Sequence, residues 1–514
     1  MSKFGKLLGF DAEAKQTTVR KEIIAGIVTF LAMCYILTVN PNQILYAGTA
    51  DPRWSSLFIA TAFGAVIGTL LMAFLAKMPL AQASGMGLNS LVGGIIGGGL
   101  GFVSAYQYGF EFTIGQAFMM VLISGIVFLL LSVIKIKGKT FRELVFDGMP
   151  VAVRGAISVG IGLFIAYIGF QNAGIVVTNG YTQVGFVDFT NWGDQTVNYL
   201  SATGTWAAAK TACVALIGVF LIAILDKFNV KGSVIIGILG ATIVGIPFGV
   251  TNLNVITGSV DGISWKFWEN YSNFFSMGEG SVFGSFTTVF TEGFPAGSLF
   301  TVIMLIITMC MIDMFDTMGT IVGCCGGNRI LSDENNKPRN YGQIMISDAV
   351  ATCAGAMLGT STVTTFVESG AGVSAGGRTG LTAFTTACLF LLATFALPFF
   401  AMIPSAATAS ALIYVGVLMM KNNVKSIDFS NAINAVSAFL TIVVMVLSYS
   451  ITKGIGIGMI SYTLMSLVAY AADVIVYACK KNTNDTEKPK FNVSIVAIVV
   501  TVLFLVYFFV PTVL

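Results

Sequence analysis

Apolar runs long enough to cross a lipid bilayer recur along the whole chain and limit the folds open to it. A membrane-spanning helix needs about 20 predominantly apolar residues. The chain is 56% hydrophobic and 10% charged, whereas soluble domains carry about 25% charged residues. The runs that we assign as spans are 22–40, 55–77, 80–102, 114–136, 151–177, 206–226, 231–250, 298–323, 342–360, 362–378, 380–402, 405–421, 433–452, 454–478 and 491–512. The sequence therefore predicts an all-α integral membrane protein.

The positions of the basic residues test the number and direction of these spans. Cytoplasmic segments of membrane proteins are enriched in Lys and Arg. With the N-terminus inside, all but four of the 27 Lys and Arg residues fall in inside segments, the exceptions being Arg53, Lys210, Lys266 and Lys453. Residues 1–20 lack the apolar core of a cleaved signal. We therefore expect a multi-pass protein of the cytoplasmic membrane with a cytoplasmic N-terminus.

Short sequence similarities divide the chain into two copies of seven spans. The segment 149–154 resembles 403–408, and 230–237 resembles 452–458. The lysine of 230–237 falls inside and that of 452–458 outside, so the matching elements run in opposite directions. Inverted repeats of this kind are typical of secondary transporters, with the substrate site at the membrane midplane. The pattern predicts fourteen spans as two inverted repeats, with 491–512 as an additional C-terminal span.

The third span of each copy contains an interruption of the helical pattern. In the first copy, 78–89 is rich in small residues and begins with a Met-Pro pair; in the second, a β-branched run from Thr360 to Val367 favours extended backbone. Ser369 and the glycines after it suit the start of a short helix. Extended chain at membrane depth is tolerated only where it is buried or lines a cavity. We predict broken helices with short strands in spans 3 and 10; the alternative is that the glycines only permit close helix packing.

Four acidic residues lie inside the apolar runs of the second half: Asp313, Asp316, Asp348 and Glu368. A carboxylate at the bilayer centre costs about 2.5–3.5 kcal/mol on insertion scales, so such residues indicate a functional site. The chain has no histidine, so proton chemistry must use these carboxylates. Asp313 and Asp316 share one helix face, and desolvation with mutual repulsion favours proton binding by at least one of the acids. For Asp313 and Asp348, a structural hydrogen bond to backbone freed by the broken helices is the alternative.

Long motifs along nearly the whole chain match a known family. They occupy 18–26, 39–41, 84–89, 313–320, 359–369, 371–373 and 376–380. Together they resemble the AzgA-like purine permeases, a branch of the nucleobase–ascorbate transporter (nucleobase:cation symporter-2) family. The resemblance implies a core domain and a gate domain, a homodimer held by the gate domains, an elevator-like movement of the core, and proton-coupled import of purine nucleobases.

The resemblance also implies how the domains divide the chain. The expected segments are a cytoplasmic N-terminus (1–21), a first core-domain segment with spans 1–4 (22–136), a first gate-domain segment with spans 5–7 (137–255), an extracellular loop (256–297), a second core-domain segment with spans 8–11 (298–402), a second gate-domain segment with spans 12–14 (403–480), and a linker with the C-terminal span (481–514).

The matching motif positions imply a substrate site in spans 3, 8 and 10. Asp316 resembles the family's substrate-binding acid in span 8, and Glu368 resembles the acid or amide in span 10. The expected substrate-binding residues are Met86, Leu88, Asn89, Asp316, Thr317, Gly319, Thr320, Phe366, Glu368 and Ser369. Other branches often carry an acid where Thr320 stands. The chain departs from the family in two ways: it lacks the span-8 histidine of some bacterial relatives outside this branch, and its C-terminal span exceeds the fourteen of the basic architecture.

The chemistry of a purine suits such a site. A carboxylate accepts two hydrogen bonds side by side, which matches N1–H and the exocyclic amine of guanine, or N1–H of hypoxanthine, whereas adenine lacks N1–H. Backbone N–H groups at the span-10 break are expected to donate to a base carbonyl, with Phe366 stacking on the ring. Asp313 and Asp348 are the candidates for proton coupling, and Arg378 is expected to snorkel to the cytoplasmic interface.

The predicted function is proton-coupled uptake of purine nucleobases, most simply guanine or hypoxanthine. No cofactor beyond the proton, no metal site and no nucleic acid partner is expected. One alternative is an adenine-preferring permease of the same branch. Another is an anion transporter on a related inverted-repeat fold, which would require a positive or neutral site. An intramembrane enzyme is not expected, because the sequence lacks H-E-x-x-H and G-x-S-x-G motifs.

Overall fold

The computed structural model describes most of the chain. The described residues are 5, 7–11, 16–45, 48–97, 109–136, 139–140, 148–179, 183–190, 209–230, 232–251, 253, 263–277, 280–325, 330–332, 338–448, 450–479 and 493–509. The predicted linker at 481–490, the ends of the predicted spans at 80–102 and 491–512, and Lys231 of the repeat comparison lie outside them.

Most described residues lie in α-helices, as expected where backbone polar groups must be satisfied without water. The helices are α1 (Val19–Met33), α2 (Ile36–Ile44), α3 (Trp54–Leu71), α4 (Met86–Ile95), α5 (Ile114–Val133), α6 (Val151–Asn172), α7 (Ala209–Lys227), α8 (Ser233–Gly245), α9 (Phe267–Phe275), α10 (Val289–Glu292), α11 (Leu299–Cys325), α12 (Tyr341–Leu358), α13 (Ser369–Ser374), α14 (Gly380–Ala393), α15 (Leu397–Ala401), α16 (Ser405–Asn423), α17 (Ala432–Leu447), α18 (Ile451–Cys479) and α19 (Ile495–Phe509). The strands are β1 (Gln82–Ser84), β2 (Lys135–Ile136), β3 (Lys139–Thr140), β4 (Val176–Asn179), β5 (Gln183–Phe186) and β6 (Val363–Thr365).

The helices agree with a chain that crosses a membrane several times. Every predicted span contains a described helix. Among the described residues, the helical segments long and apolar enough to cross a bilayer number 7 and are Val19–Ile44, Trp54–Ala76, Ile114–Val133, Val151–Asn172, Ala209–Lys227, Gly380–Ala401 and Lys453–Cys479. Others, such as α4, α8 and α17, are apolar but shorter. The protein is therefore a multi-pass membrane protein, and the number of fourteen crossings stays a prediction.

The chain divides into two compact units. The larger contains Met1–Ser132 and Ile165–Val415, and the smaller contains Val133–Phe164 and Gly416–Leu514. In the smaller unit α17 packs against α18, and the hydroxyls of Thr463 and Thr501 lie 2.7 Å apart, which joins α18 to α19. The two interrupted spans and all four membrane acids belong to the larger unit.

A buried pair of antiparallel strands stands where the sequence predicts the two broken helices. β1 pairs with β6 in the register Gln82–Thr365, Ala83–Thr364 and Ser84–Val363. Two further backbone hydrogen bonds extend the pairing, from Gly85 N to Thr362 O at 3.0 Å and from Phe366 N to Ala81 O at 3.1 Å. The strands satisfy each other's backbone groups, which is the condition for extended chain away from water. Each strand leads into a short helix, β1 into α4 and β6 into α13.

Gly359 makes the turn from α12 into the segment before β6. Its φ of +90° is in the left-handed region, and a Cβ at this position would clash with the carbonyl of Val282. Only glycine combines that backbone conformation with so close an approach. The abrupt end of α12 therefore follows directly from one residue, and it sets the direction in which the chain enters β6.

The side chain of Asn40 holds the strand pair to its surroundings. Its Nδ2 lies 2.7 Å from Thr61 Oγ1, 2.9 Å from Thr360 Oγ1 and 3.3 Å from Ser84 Oγ. The hydroxyls of Ser84 and Thr360 are also 2.8 Å apart. These contacts connect α2 and α3 with the start of both broken segments. A fully buried polar network of this kind specifies one arrangement of the elements it joins.

Candidate functional site

Glu368 lies in the short segment between β6 and α13, and its two carboxylate oxygens differ in their hydrogen bonding. The Tyr35 hydroxyl donates to Glu368 Oε1 at 2.5 Å and lies 3.7 Å from Met86 Sδ. The residue is 8% exposed, and its buried Oε2 has no hydrogen-bond partner among the described residues. Because a buried acceptor without a donor is costly, this oxygen is suited to receive an N–H group from a ligand.

Asp316 on α11 lies next to both strands of the buried pair. The Thr364 hydroxyl of β6 lies 3.5 Å from Asp316 Oδ2. A Cβ added to Gly85, just after β1, would lie 3.8 Å from the same oxygen. Tyr35, the partner of Glu368, contacts the next residue along, Met86, so both acids lie beside the start of α4. The structure therefore brings together the two acids that the sequence proposes as a pair.

Asp348 on α12 accepts hydrogen bonds through both of its oxygens. Its Oδ1 accepts from Gln82 Nε2 at 2.9 Å and lies 3.4 Å from Thr365 Oγ1, while Oδ2 accepts from Thr317 Oγ1 at 2.7 Å. The residue is completely buried. These contacts connect α11 and α12 with β1 and β6. Thr317, expected from the sequence to contact substrate, directs its hydroxyl at this network.

Asp313 lies one helical turn before Asp316 and is packed toward α12. Its Oδ2 is 3.1 Å from the Thr352 hydroxyl, which also lies 3.2 Å from Val363 O in β6. Asp313 is 1% exposed. The structure thus places it between α11, α12 and the strand pair.

The remaining predicted site residues fall into two groups. Met86 contacts the Tyr35 hydroxyl, whereas Asn89 accepts a hydrogen bond from Ser361 and Ser369 Oγ accepts one from Ala81 N at 3.0 Å. Leu88, Phe366 and Thr320 are buried, and Gly319 lies within α11. Asn89 and Ser369 therefore support the broken segments, and Met86 lies beside the acid.

The expectation that the span-10 break offers backbone donors to a ligand is wrong for the first residues of α13. Ser369 N donates to Phe366 O at 3.1 Å, Gly370 N to Val367 O at 3.0 Å and Ala371 N to Glu368 O at 2.9 Å. The tight turn before this short helix therefore uses its own N–H groups. In the first copy α4 begins at Met86, and the N–H groups of a first helical turn have no partner inside their helix.

Glu22 near the start of α1 is a buried acid that the sequence reading misses. Its Oε1 accepts from Arg378 N at 3.0 Å, and its Oε2 accepts from Thr379 N at 3.2 Å and Thr382 Oγ1 at 2.6 Å. It therefore caps the N-terminus of α14, where a negative charge also complements the helix dipole. Its position close to the polar N-terminus gives no signal that the side chain is completely buried.

Arg378 has a more specific structural role than snorkelling. Its Nη1 donates to Val373 O at 2.5 Å and to Gly377 O at 2.7 Å. These carbonyls follow the last turn of α13, where a cation is favourable. Glu22 and Arg378 thus fix the connection from α13 to α14, one on each helix terminus.

Tyr35 is the second residue that the sequence reading misses. It lies in the break between α1 and α2 and is 1% exposed. A buried tyrosine hydroxyl usually has a hydrogen-bond partner, so a tyrosine inside an apolar run is the signal that could have been used. That signal would indicate a polar partner without identifying Glu368.

The fold has a counterpart among membrane proteins of known structure. The transmembrane domain of a cyanobacterium bicarbonate transporter, BicA, matches with a TM-score of 0.57 at 14% identity, covering 85% of this chain and 97% of that chain. At this identity the likeness concerns the fold alone. The Permease family profile (Xan_ur_permease) matches residues 20–457, and the chain belongs to this family, the nucleobase–ascorbate transporters.

Relatives from two bacteria match over most of the chain. The adenine permease AdeP of Escherichia coli (strain K12) is 33% identical over 451 residues, which is 88% of this chain and 88% of that protein. The guanine/hypoxanthine permease PbuO of Bacillus subtilis (strain 168) is 33% identical over 458 residues, 89% of this chain and 93% of that protein. The family suggested by the sequence motifs is confirmed, and the chain is a transporter rather than an enzyme.

Proposed function

We propose that this permease carries purine nucleobases across the cytoplasmic membrane and binds them between Glu368 and Asp316. The observation that carries the proposal is the buried Glu368 Oε2, which has no partner among the described residues. Glu368 and Asp316 both lie beside the start of α4, through Tyr35 and Met86 for the first and Gly85 for the second. Relatives named as adenine and guanine/hypoxanthine permeases support the substrate class.

Guanine and hypoxanthine suit this arrangement better than adenine. Both carry N1–H, and guanine adds an exocyclic amine beside it, so their edges offer donors to carboxylate acceptors. A hydrogen bond to a charged group is worth about 1.5–3 kcal/mol, enough to select between purine edges. Adenine presents an N1 acceptor, but an adenine permease is as similar to this chain as a guanine/hypoxanthine permease, at 33% identity each. Adenine preference is therefore the second candidate.

An anion substrate fits the two acids poorly. The likeness to a bicarbonate transporter shows a shared fold, but a buried pair of carboxylates repels anions. The pair can instead hold a neutral base and exchange a proton, and the chain has no histidine for that task. We assign coupling to protons. Asp313 and Asp348, which lie beside the same strand pair, stay the two further candidates for this role.

The family resemblance supports the remaining elements of the proposal. The transporter works as a homodimer, with an elevator-like movement of the core domain that contains the strand pair. Its N-terminus is cytoplasmic, because this orientation puts all but four of the 27 Lys and Arg residues inside.

Uptake into proteoliposomes tests the function. The purified protein is reconstituted, and radiolabelled hypoxanthine, guanine, adenine and bicarbonate are offered with and without an inwardly directed proton gradient. We expect hypoxanthine and guanine uptake that the gradient drives and an uncoupler abolishes. Purine uptake that does not change with the proton gradient contradicts proton coupling. Bicarbonate uptake without purine uptake contradicts the proposed substrate class.

A further inference from the structure

The phenol of Tyr35 is held in a fixed position by the helix that follows it. Thr38 N and Val39 N donate to Tyr35 O at 3.1 and 3.0 Å, so α2 begins directly after this residue. The ring is completely enclosed at 1% exposure. The hydroxyl that contacts Glu368 therefore belongs to a residue fixed at the start of a helix, in contrast to a residue on a loop.

The Tyr35 hydroxyl has one hydrogen. The group that accepts this hydrogen determines which hydrogen-bonding groups Tyr35 and Glu368 together offer to a ligand. Because Tyr35 donates to Glu368 Oε1 at 2.5 Å, it has no second hydrogen to donate. The pair then presents only acceptors, namely Glu368 Oε2 and the lone pairs of the phenol oxygen. A ligand edge with N–H groups fits these acceptors, whereas an edge with an unprotonated ring nitrogen meets lone pair with lone pair.

We infer that Tyr35 is a specificity-determining residue, which positions Glu368 so that the ligand edge must donate rather than accept. This inference rests on the proposed purine transport and names the purine group that is selected. Guanine and hypoxanthine are accepted through N1–H, and adenine is disfavoured because its N1 carries no hydrogen. Without the hydroxyl, the carboxyl group loses the donor that fixes it, turns more freely, and can protonate and donate to adenine.

A binding competition with purified protein tests the inference. Tyr35→Phe is compared with wild type and with a control, Tyr271→Phe. In the wild-type protein the hydroxyl of Tyr271, on α9, lies 2.5 Å from Thr394 Oγ1. Displacement of radiolabelled hypoxanthine by unlabelled hypoxanthine, guanine and adenine gives the affinities. We expect Tyr35→Phe to reduce the preference for hypoxanthine over adenine about 10-fold, the worth of one charge-assisted hydrogen bond, and the control to leave it unchanged. An equal loss for all purines would show that Tyr35 is only structural and would overturn the inference.

A second variant tests the same geometry without removing the tyrosine. In Glu368→Gln, the Tyr35 hydroxyl is expected to hold the amide oxygen, which turns the amide N–H₂ toward the ligand. The preference should then shift toward adenine, and adding Tyr35→Phe should remove the shift because the amide is free to flip. A Glu368→Gln variant whose ratio of adenine to hypoxanthine affinity equals that of wild type contradicts the inference. Failure of the wild-type protein to bind any purine contradicts the proposed function instead, so the two failures are distinguishable.

Discussion

Asp348 and Glu368 are both buried acids next to the same strand pair, but they differ in how their oxygens are used. Both oxygens of Asp348 accept hydrogen bonds, from side chains on α11, β1 and β6. Glu368 has one oxygen bound by Tyr35, and the other is without a partner in the described stretches of the chain. The comparison teaches that burial alone does not distinguish the two acids, and that the proposal of a ligand contact at Glu368 depends on the oxygen without a partner.

The largest expected effect comes from removing the open acceptor. Glu368→Ala should weaken hypoxanthine binding about 10- to 100-fold, the worth of hydrogen bonds to a charged group. Equilibrium binding to the purified protein measures it, with Glu292→Ala on the exposed end of α10 as the matched control. Unchanged affinity in Glu368→Ala would remove the distinction between the two acids.

Asp348→Asn should affect stability instead of affinity. One of its two oxygens becomes an N–H₂ group. This group then faces a side chain that, in the wild-type protein, donates to the carboxylate. Leaving a buried donor without an acceptor costs about 1–3 kcal/mol. We expect a lower thermal midpoint in detergent and an unchanged hypoxanthine affinity for the folded fraction. Asp473→Asn on the exposed surface of α18 is the control, and a stable variant without binding would assign Asp348 to the substrate site.

Glu22→Gln tests a third way of using a buried acid, as a helix cap. The amide retains one acceptor for the donors of Arg378, Thr379 and Thr382 and loses the charge that favours the α14 N-terminus. A lost cap costs about 1 kcal/mol, and the new N–H₂ group must face one of these donors, as in Asp348→Asn, so the thermal midpoint should fall. It should fall less in Thr382→Val, which removes one donor only. A change in the order of purine affinities would contradict a purely structural role.

The smallest effect is expected at an acid outside the membrane spans. Burial raises the pKa of Asp51, but hydrogen bonds from Arg53 and its positive charge outweigh this and hold the pKa below its usual range. The stabilisation is therefore present above the unfolded pKa of about 3.9 and is lost as the pH falls through the folded pKa. Asp51→Asn should cost less than about 1 kcal/mol at neutral pH, as for a surface ion pair.

Thermal unfolding of wild type and Asp51→Asn across pH measures this difference. The two proteins should converge in acid, where the wild-type carboxyl is protonated. A stability difference that persists at low pH would show that the carboxylate charge is not its source, although Asp51 Oδ2 lies only 2.6 Å from Arg53 Nη2.

The interrupted spans could be predicted from the sequence because their signals are local. The β-branched run before Glu368 favours a strand whatever surrounds it, and β6 lies within that run. The register with β1 could not be predicted, since the residues of one strand do not specify which distant strand it pairs with. The same limit applies to the use of backbone donors at α13, which depends on a tight turn.

The acids could be found from the sequence, but their roles could not be separated there. Asp313, Asp316, Asp348 and Glu368 all appear as carboxylates in apolar runs. Their difference depends on partners far along the chain, such as Gln82 for Asp348 and Tyr35 for Glu368, which lies 333 residues away. Periodicity and composition describe a residue's own element, and these contacts join different elements.

The pairing of β1 with β6 has a consequence for the order of events during synthesis. Gln82 and Thr365 are 283 residues apart. At a synthesis rate of about 5–20 residues per second, β1 waits about 15–60 s before its partner strand exists. During that interval its backbone groups need other partners, and the first copy cannot complete its broken span. The site is therefore among the last regions of the larger unit to form. Any delay in the synthesis of the second half of the chain prolongs the time for which β1 is without its partner strand.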